Sequence, residues 1–224
     1  MAQTSSIKLK QVNNLLLLLI VLINGYIFLA PLWPAVVFHF ESHGHKQQQL
    51  QATINKPATT FKVPPGPNRL VVPSMLLDQP ILQGTVANQF KTLDQGIWLW
   101  PRGSTPDKGG NTTLIGHRYT YTNPRGVFYF LNKVSVKDQI AVYWNNKEYV
   151  YQVVSVSQVA PNDTAIEANT SQAELTLFTC TPLWLPKDRL VVVADLEKTY
   201  DWTNKIHSLA HPADTQYRAA GGPG

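Results

Sequence analysis

Residues 11–40 contain no Asp, Glu, Lys or Arg, and this uncharged stretch limits what the chain can fold into more than any other feature. Its apolar heart, residues 15–38, is broken only by Asn24-Gly25, Pro31 and Pro34. As a helix it would span roughly 36 Å, enough to cross a hydrocarbon core of about 30 Å. The prolines are expected to end the helix near the outer interface, where Trp33 would anchor it. Lys8 and Lys10 precede the stretch with no acid beside them, so the N-terminus is predicted to stay in the cytoplasm and the rest to lie outside. Residues 15–23 alone would serve as the core of a signal peptide. The apolar stretch runs on past that length, however, and no clean small-x-small cleavage site follows, so the reading is an uncleaved single-pass anchor.

Beyond the anchor the pattern changes. Sixteen prolines and thirteen glycines punctuate many short apolar runs, which predicts a mostly β domain. The net charge of +5 is mild and the basic residues are scattered, which argues against nucleic acid as a partner. The expected organisation is an N-terminus and membrane anchor (residues 1–40), a polar Gln-rich stalk or short helix (41–60), a β domain (61–200) and a loose tail (201–224). His43 and His45 lie in the stalk without a third ligand in view, and read as part of a solvated linker rather than a metal site. Strand runs are predicted at 69–72, 75–82, 96–101, 112–117, 174–180 and 189–196. The 75–82 run contains Pro80 and reads as an edge strand. Asn145-Asn146-Lys147 between two β-prone runs, 140–144 and 148–157, is a hairpin signal. Residues 127–131 read as a short helical turn, and 201–209 as a short helix.

The only cysteine, Cys180, closes the run Leu175-Thr176-Leu177-Phe178-Thr179-Cys180. With one cysteine there is no intrachain disulfide. A free thiol is most often a small buried hydrophobe, and becomes a nucleophile only where a neighbour favours the thiolate. His117 is a suitable neighbour. It follows Gly116 at the end of an apolar strand, and it is the only histidine inside the β domain. Arg189 opens the next apolar run. If Cys180 ends one strand and Arg189 starts its antiparallel partner, the two side chains are neighbours, and the guanidinium can serve an oxyanion as a donor. Taken singly, His117 reads as a hydrogen-bonded structural histidine and Arg189 as a solvated strand-entry residue; their shared position at strand ends favours chemistry. Papain-like peptidases place cysteine before histidine, and the Ser-His-Gly-Cys motif of L,D-transpeptidases is absent. No third triad member stands out near His117, where Asn111 and Asn123 are merely polar neighbours.

These residues resemble the sortase family. Thr176-Leu177-Phe178-Thr179-Cys180 is similar to its Thr-Leu-x-Thr-Cys signature, and Gly116-His117-Arg118 to its strand end. Arg189 sits where the family's arginine does. Asn111, Phe128-x-x-Leu131 and Val136-Lys137-Asp138-Gln139-Ile140 add support, although Lys137 and Gln139 depart from the family's usual wording. The resemblance spans about residues 65–196. It implies a closed eight-stranded β-barrel and a transpeptidase that cleaves the C-terminal sorting signal of surface proteins. Cys180 would form a thioester, His117 would move protons and Arg189 would hold the oxyanion or substrate backbone. The acyl group would pass to an amine of a peptidoglycan precursor or of a pilin lysine. Pilin-polymerising sortases often carry a C-terminal membrane helix and an Asp-Pro-aromatic lid. Neither pattern is found here, which leans the reading toward an anchoring role. Asp163, Glu167 and Glu174 are too few and too spread to predict a calcium site, so no metal or cofactor is expected. The rival reading is an inactive anchored barrel that binds a surface partner.

Overall fold

A computed structural model of the chain describes residues 2–42, 45–55, 68–120, 125–183 and 187–201. The chain divides into two compact units, Met1–His43 and Gly44–Gly224.

The first unit is helical. Helix α1 (Ala2–Leu29) contains the apolar span Leu9–Leu29, 21 residues with a mean hydropathy of 2.2. At about 1.5 Å per residue this covers roughly the thickness of a bilayer core. The prolines were expected to end the helix, and α1 does end at Leu29, just before Pro31; a 3-10 turn (Ala30–Leu32) then leads into a second helix, α2 (Trp33–Ser42). Pro31 stands in the first turn, where a missing N–H is not needed by the helix, so the chain continues helically.

The second unit is a closed barrel of eight strands: β1 (Arg69–Val72), β2 (Leu77–Gln83), β3 (Ile97–Leu99), β4 (Asn111–Ile115), β5 (Gln139–Trp144), β6 (Lys147–Val159), β7 (Glu174–Thr181) and β8 (Asp188–Asp201). The order round the barrel is β1-β2-β3-β4-β7-β8-β6-β5, and β5 closes on β1. The β2/β3 and β4/β7 pairs are parallel and the rest antiparallel. Leu70, Leu114, Ile140, Leu175, Leu177 and Val192 fill the interior, all fully buried.

Local chemistry explains most of these elements. Asn145 and Asn146 take positive φ of 47° and 61°, the two-residue turn that matches strand twist, so β5 and β6 form the expected hairpin. β2 is not an edge, because the barrel has none. Pro80 is tolerated because pairing to β3 begins only at Ile81, one residue later. β8 runs five residues past the predicted end at Leu196. A register shift against β6 near Leu196 breaks the apolar alternation there, and pairing then resumes to Lys147↔Asp201.

Residues 45–55, read as a stalk or a short helix, form the helix α3 (His45–Asn55), and it packs on the barrel instead of standing apart from it. Ile54 is buried against Val71, Ala141 and Val150, with Leu50 beside it, and Gln51 Nε2 donates to Gln139 Oε1 at 3.1 Å. Two apolar residues four apart make a stripe narrow enough to be missed in a Gln-rich stretch. A short helix, α4 (Gln89–Gln95), went unread; it enters β3 through Gly96 at φ 155°. The segment predicted as a short helical turn, 127–131, folds as successive turns, with Tyr129 N–H donating to Gly126 O and Leu131 N–H to Phe128 O, and a 3-10 turn follows at Leu131–Lys133. The tail and its predicted helix at 201–209 lie almost wholly outside the described residues.

Candidate active site

β7 and β8 bring the thiol and the guanidinium together. Their antiparallel register sets Cys180 opposite Arg189, and Arg189 Nη1 donates to Cys180 Sγ at 3.3 Å. The expected neighbourhood is therefore present, and it follows from pairing alone. Cys180 is partly exposed, as a nucleophile must be. Lys187 N–H donates to Thr181 O at 3.0 Å and closes the connecting loop at its base.

β4 delivers the imidazole. It runs parallel to β7 as far as Ile115↔Phe178, and Gly116 N–H donates to Phe178 O at 3.3 Å. Thr179 Oγ1 donates back to Gly116 O at 2.7 Å in a buried contact. Arg118 Nη1 then donates to Thr181 Oγ1 at 2.7 Å. The register thus continues beyond the strand, with 116 beside 179 and 118 beside 181, and it sets His117 beside Cys180. In a parallel pair, residues in register share a face, and the Arg118–Thr181 contact keeps that register one residue past His117 and Cys180. Gly116 is required here by close approach. A Cβ at this position would meet Val127 Cγ1 at 2.6 Å and the Phe128 ring at 2.8 Å. That same turn holds the histidine, because Phe128 N–H donates to His117 O at 2.9 Å.

Three further residues lie at the site: Asp94, which no local pattern marks, Arg118 of the Gly-His-Arg run, and Glu167, weighed in the sequence only for calcium. Asp94, on α4, places Oδ1 3.4 Å from His117 Nε2. The partner sought near His117 in the chain comes from a distant helix instead. Arg118 was read as the last residue of the Gly116-His117-Arg118 strand end, with no contact assigned to it. It is half-buried, its Nε has no acceptor, and burial lowers its pKa against the opposing influence of Tyr129. Glu167 lies in the 3-10 turn Thr164–Glu167. Burial raises its pKa, and Arg189 and Arg102 oppose the rise. Asn111 does not serve the histidine. Its Nδ2 donates to Ile166 O (3.3 Å) and Ala168 O (3.0 Å), fastening the loop that carries Glu167. Asn123 lies outside the described residues. Of the other two acids weighed for calcium, Asp163 accepts from Ala165 N–H in its own turn and Glu174 lies near Asp195.

A pocket of about 360 Å³ opens on the side of His117 that faces Asp94. Lys46 of α3, Arg125, Met75, Leu93 and Phe130 also line it.

The arrangement has the parts acyl transfer needs: a thiol, a hydrogen-bond donor on it, and an imidazole at the same strand level. The Sortase domain family model matches residues 70–197. A curated relative, sortase A of Bacillus anthracis, is 32% identical over 133 residues, 58% of this chain and 60% of its own length. The chain thus spans less than two thirds of that relative. Among solved structures, Listeria monocytogenes sortase A has a TM-score of 0.53 at 25% identity, covering 67% of this chain and 99% of its own. Streptomyces coelicolor sortase E1, with a tripeptide in its active site, has a TM-score of 0.52 at 26% identity, covering 60% and 90%. Sortases of types C and D also match, so likeness of fold does not sort the chain among subclasses.

Proposed function

This chain belongs to the sortase family, and from that premise we propose that it is a membrane-tethered cysteine transpeptidase acting on the C-terminal sorting signal of surface proteins. The observation that carries the proposal is the contact of Arg189 Nη1 with Cys180 Sγ at 3.3 Å, at the strand level where the register sets His117. α1 supplies the tether, with the N-terminus in the cytoplasm and the barrel outside.

In the first half-reaction Cys180 Sγ attacks the scissile carbonyl as thiolate. A C–S bond forms, and Arg189 donates to the oxyanion. His117, protonated, gives its proton to the departing amine as the C–N bond breaks, leaving a thioester. In the second half-reaction an acceptor amine attacks that carbonyl and His117 takes its proton. The C–S bond breaks and its electrons return to Cys180. Asp94, with Oδ1 3.4 Å from Nε2, orients the ring through both steps. The acceptor is an amine of a peptidoglycan precursor or of a pilin lysine.

The test uses the full-length protein in detergent with sorting-signal peptides as donors. The wild type is expected to cleave the donor and give a mass-detectable adduct on Cys180, and Cys180→Ala to give neither. Donor turnover by Cys180→Ala refutes the proposal. A folded wild type that binds a surface protein but leaves every donor intact supports the inactive-barrel reading instead.

A further inference from the structure

We infer that α2 is a membrane-surface helix: the chain turns at Ala30–Leu32, and the stripe Trp33, Val36 and Phe40 lies flat in the lipid interface of the leaflet where α1 ends. The inference rests on the reading of α1 as a span, and names a second, separate contact with the lipid. The 21 residues Leu9–Leu29 cover about 32 Å at about 1.5 Å each, which already fills a hydrocarbon core of about 30 Å. α2 starts only three residues later, after a 3-10 turn that rises roughly 6 Å. It therefore begins at the boundary between acyl chains and headgroups.

The surface of α2 is that of a helix with lipid on one side. Trp33, Val36 and Phe40 are 67%, 46% and 75% exposed, and Leu32 in the turn before them is exposed too. At i, i+3 and i+7 the three make one stripe. Pro34 and Phe38, four residues apart, lie on another side and are buried. No Asp, Glu, Lys or Arg stands in residues 33–40, so no charge holds the exposed stripe in water. Were residues 9–40 one straight helix, it would run about 48 Å and lift Phe40 roughly 16 Å beyond Leu29. The backbone supplies the turn that avoids this. Pro31 and Pro34 have no N–H for the carbonyls of Ile27 and Ala30, four residues back, and Trp33 N–H bonds Ala30 O in 3-10 fashion instead. With the helical ladder interrupted there, the axis can change direction. Lying down puts the whole stripe at one depth, where indole and phenyl rings suit the interface. A second copy of the chain is a poorer occupant. A stable dimer interface takes roughly 20 residues a side, and this stripe offers three large side chains.

The experiment measures depth in the full-length protein reconstituted in phosphatidylcholine vesicles. Cys180→Ala removes the only native thiol, and single spin labels are then introduced through Leu19→Cys, Trp33→Cys, Val36→Cys, Phe40→Cys or Gln48→Cys. All five positions are exposed, so the labels displace no packed side chain. Electron paramagnetic resonance reads how often each label collides with oxygen, which gathers in lipid, and with a water-soluble nickel chelate. Leu19 in α1 is the deep reference and Gln48 in α3 the aqueous one. Labels at 33, 36 and 40 are expected at a single depth, about 5–10 Å into the boundary between headgroups and acyl chains. An upright α2 would instead spread 33 and 40 by about 10 Å, with 40 nearest water, and that graded result overturns the inference. Labels open to nickel at all three positions, with Leu19 still in lipid, overturn it alone. Spin–spin broadening at the three positions overturns it too, because a second copy then covers the stripe. A Leu19 label open to nickel overturns the reading of α1 as a span and the inference together.

Discussion

Glu148 provides a quantitative test of the barrel's electrostatics. Its carboxyl, on β6, has no solvent exposure. It pairs with Tyr143 of β5 and Tyr200 of β8. Tyr143 Oη donates to Glu148 Oε1 at 3.2 Å, while Oε2 has no partner. The positive charge that acts on it is Arg69, whose guanidinium lies 4.5 Å from the Tyr143 ring centroid and is engaged by Asp78 at 3.3 Å. Burial pushes the Glu148 pKa up to about 7, against the Tyr143 hydrogen bond and Arg69, which act to lower it. The folded value lies above the unfolded one of 4.5, so the carboxyl prefers its proton in the fold. Its contribution to stability is therefore intact below pH 4.5 and is lost as pH rises through 7. At 1.36 kcal/mol per pH unit the loss is on the order of 3 kcal/mol. Glu148→Gln cannot ionise and keeps an acceptor for Tyr143, but it buries an amide N–H₂ at a cost of roughly 1–2 kcal/mol. The variant should thus be less stable than the wild type by about that amount at low pH. It should be more stable by about 1–2 kcal/mol above pH 8, with the crossover between. For a domain of this size that is several degrees in Tm, at roughly 2–4 °C per kcal/mol. Thermal unfolding of both proteins from pH 4.5 to 8.5, followed by near-UV circular dichroism, checks this. Taking the difference between the two proteins cancels every other titrating group. A difference that does not change with pH would refute the reasoning and show that the carboxylate is solvated or paired.

Other outcomes follow from the site. Arg189→Lys keeps the charge but loses the planar fork on Cys180, so kcat/KM for donor cleavage should fall by about 10²–10³, while Cys180 stays accessible to a thiol reagent. The Arg118–Thr181 bridge should show coupling when Arg118→Lys and Thr181→Val are combined in a double-mutant cycle of thermal stability. Thr181→Ser, which keeps the hydroxyl, should restore the wild-type value, and additive effects would remove the bridge from the account. Gly116→Ala forces a methyl into Val127 and Phe128. It should destabilise by about 1–3 kcal/mol and lower activity by displacing the turn that holds His117, measured by melting and by donor turnover.

Much of this was legible along the chain, for reasons particular residues show. The hairpin at Asn145-Asn146 was readable because only a few residue types tolerate positive φ at both positions. Cys180 and Arg189 could be matched because antiparallel neighbours joined by a short loop share a register. Asp94 was not readable. Its pairing with His117 depends on how α4 crosses between β2 and β3, and no local pattern encodes that crossing. The length of β8 was hidden because a register shift near Leu196 breaks the alternation that marks a strand. The packing of α3 was missed because its apolar stripe is only Leu50 and Ile54, too sparse to announce a buried face.

By itself the sequence determined where the apolar helix lies, that the rest is mostly β, and which three side chains are suited to thiol chemistry. Hydrophobic run length, turn residues and side-chain reactivity are local properties and survive without the fold. Only the tertiary structure decided that β4 lies parallel to β7, and so that His117 stands in register with Cys180. It alone placed Asp94 against His117, joined Arg118 to Thr181 and buried Glu148 without a charge partner. Each of these depends on closing the barrel between strands far apart in sequence, where pairing is settled by the packing of the whole interior and not by any one segment's preference.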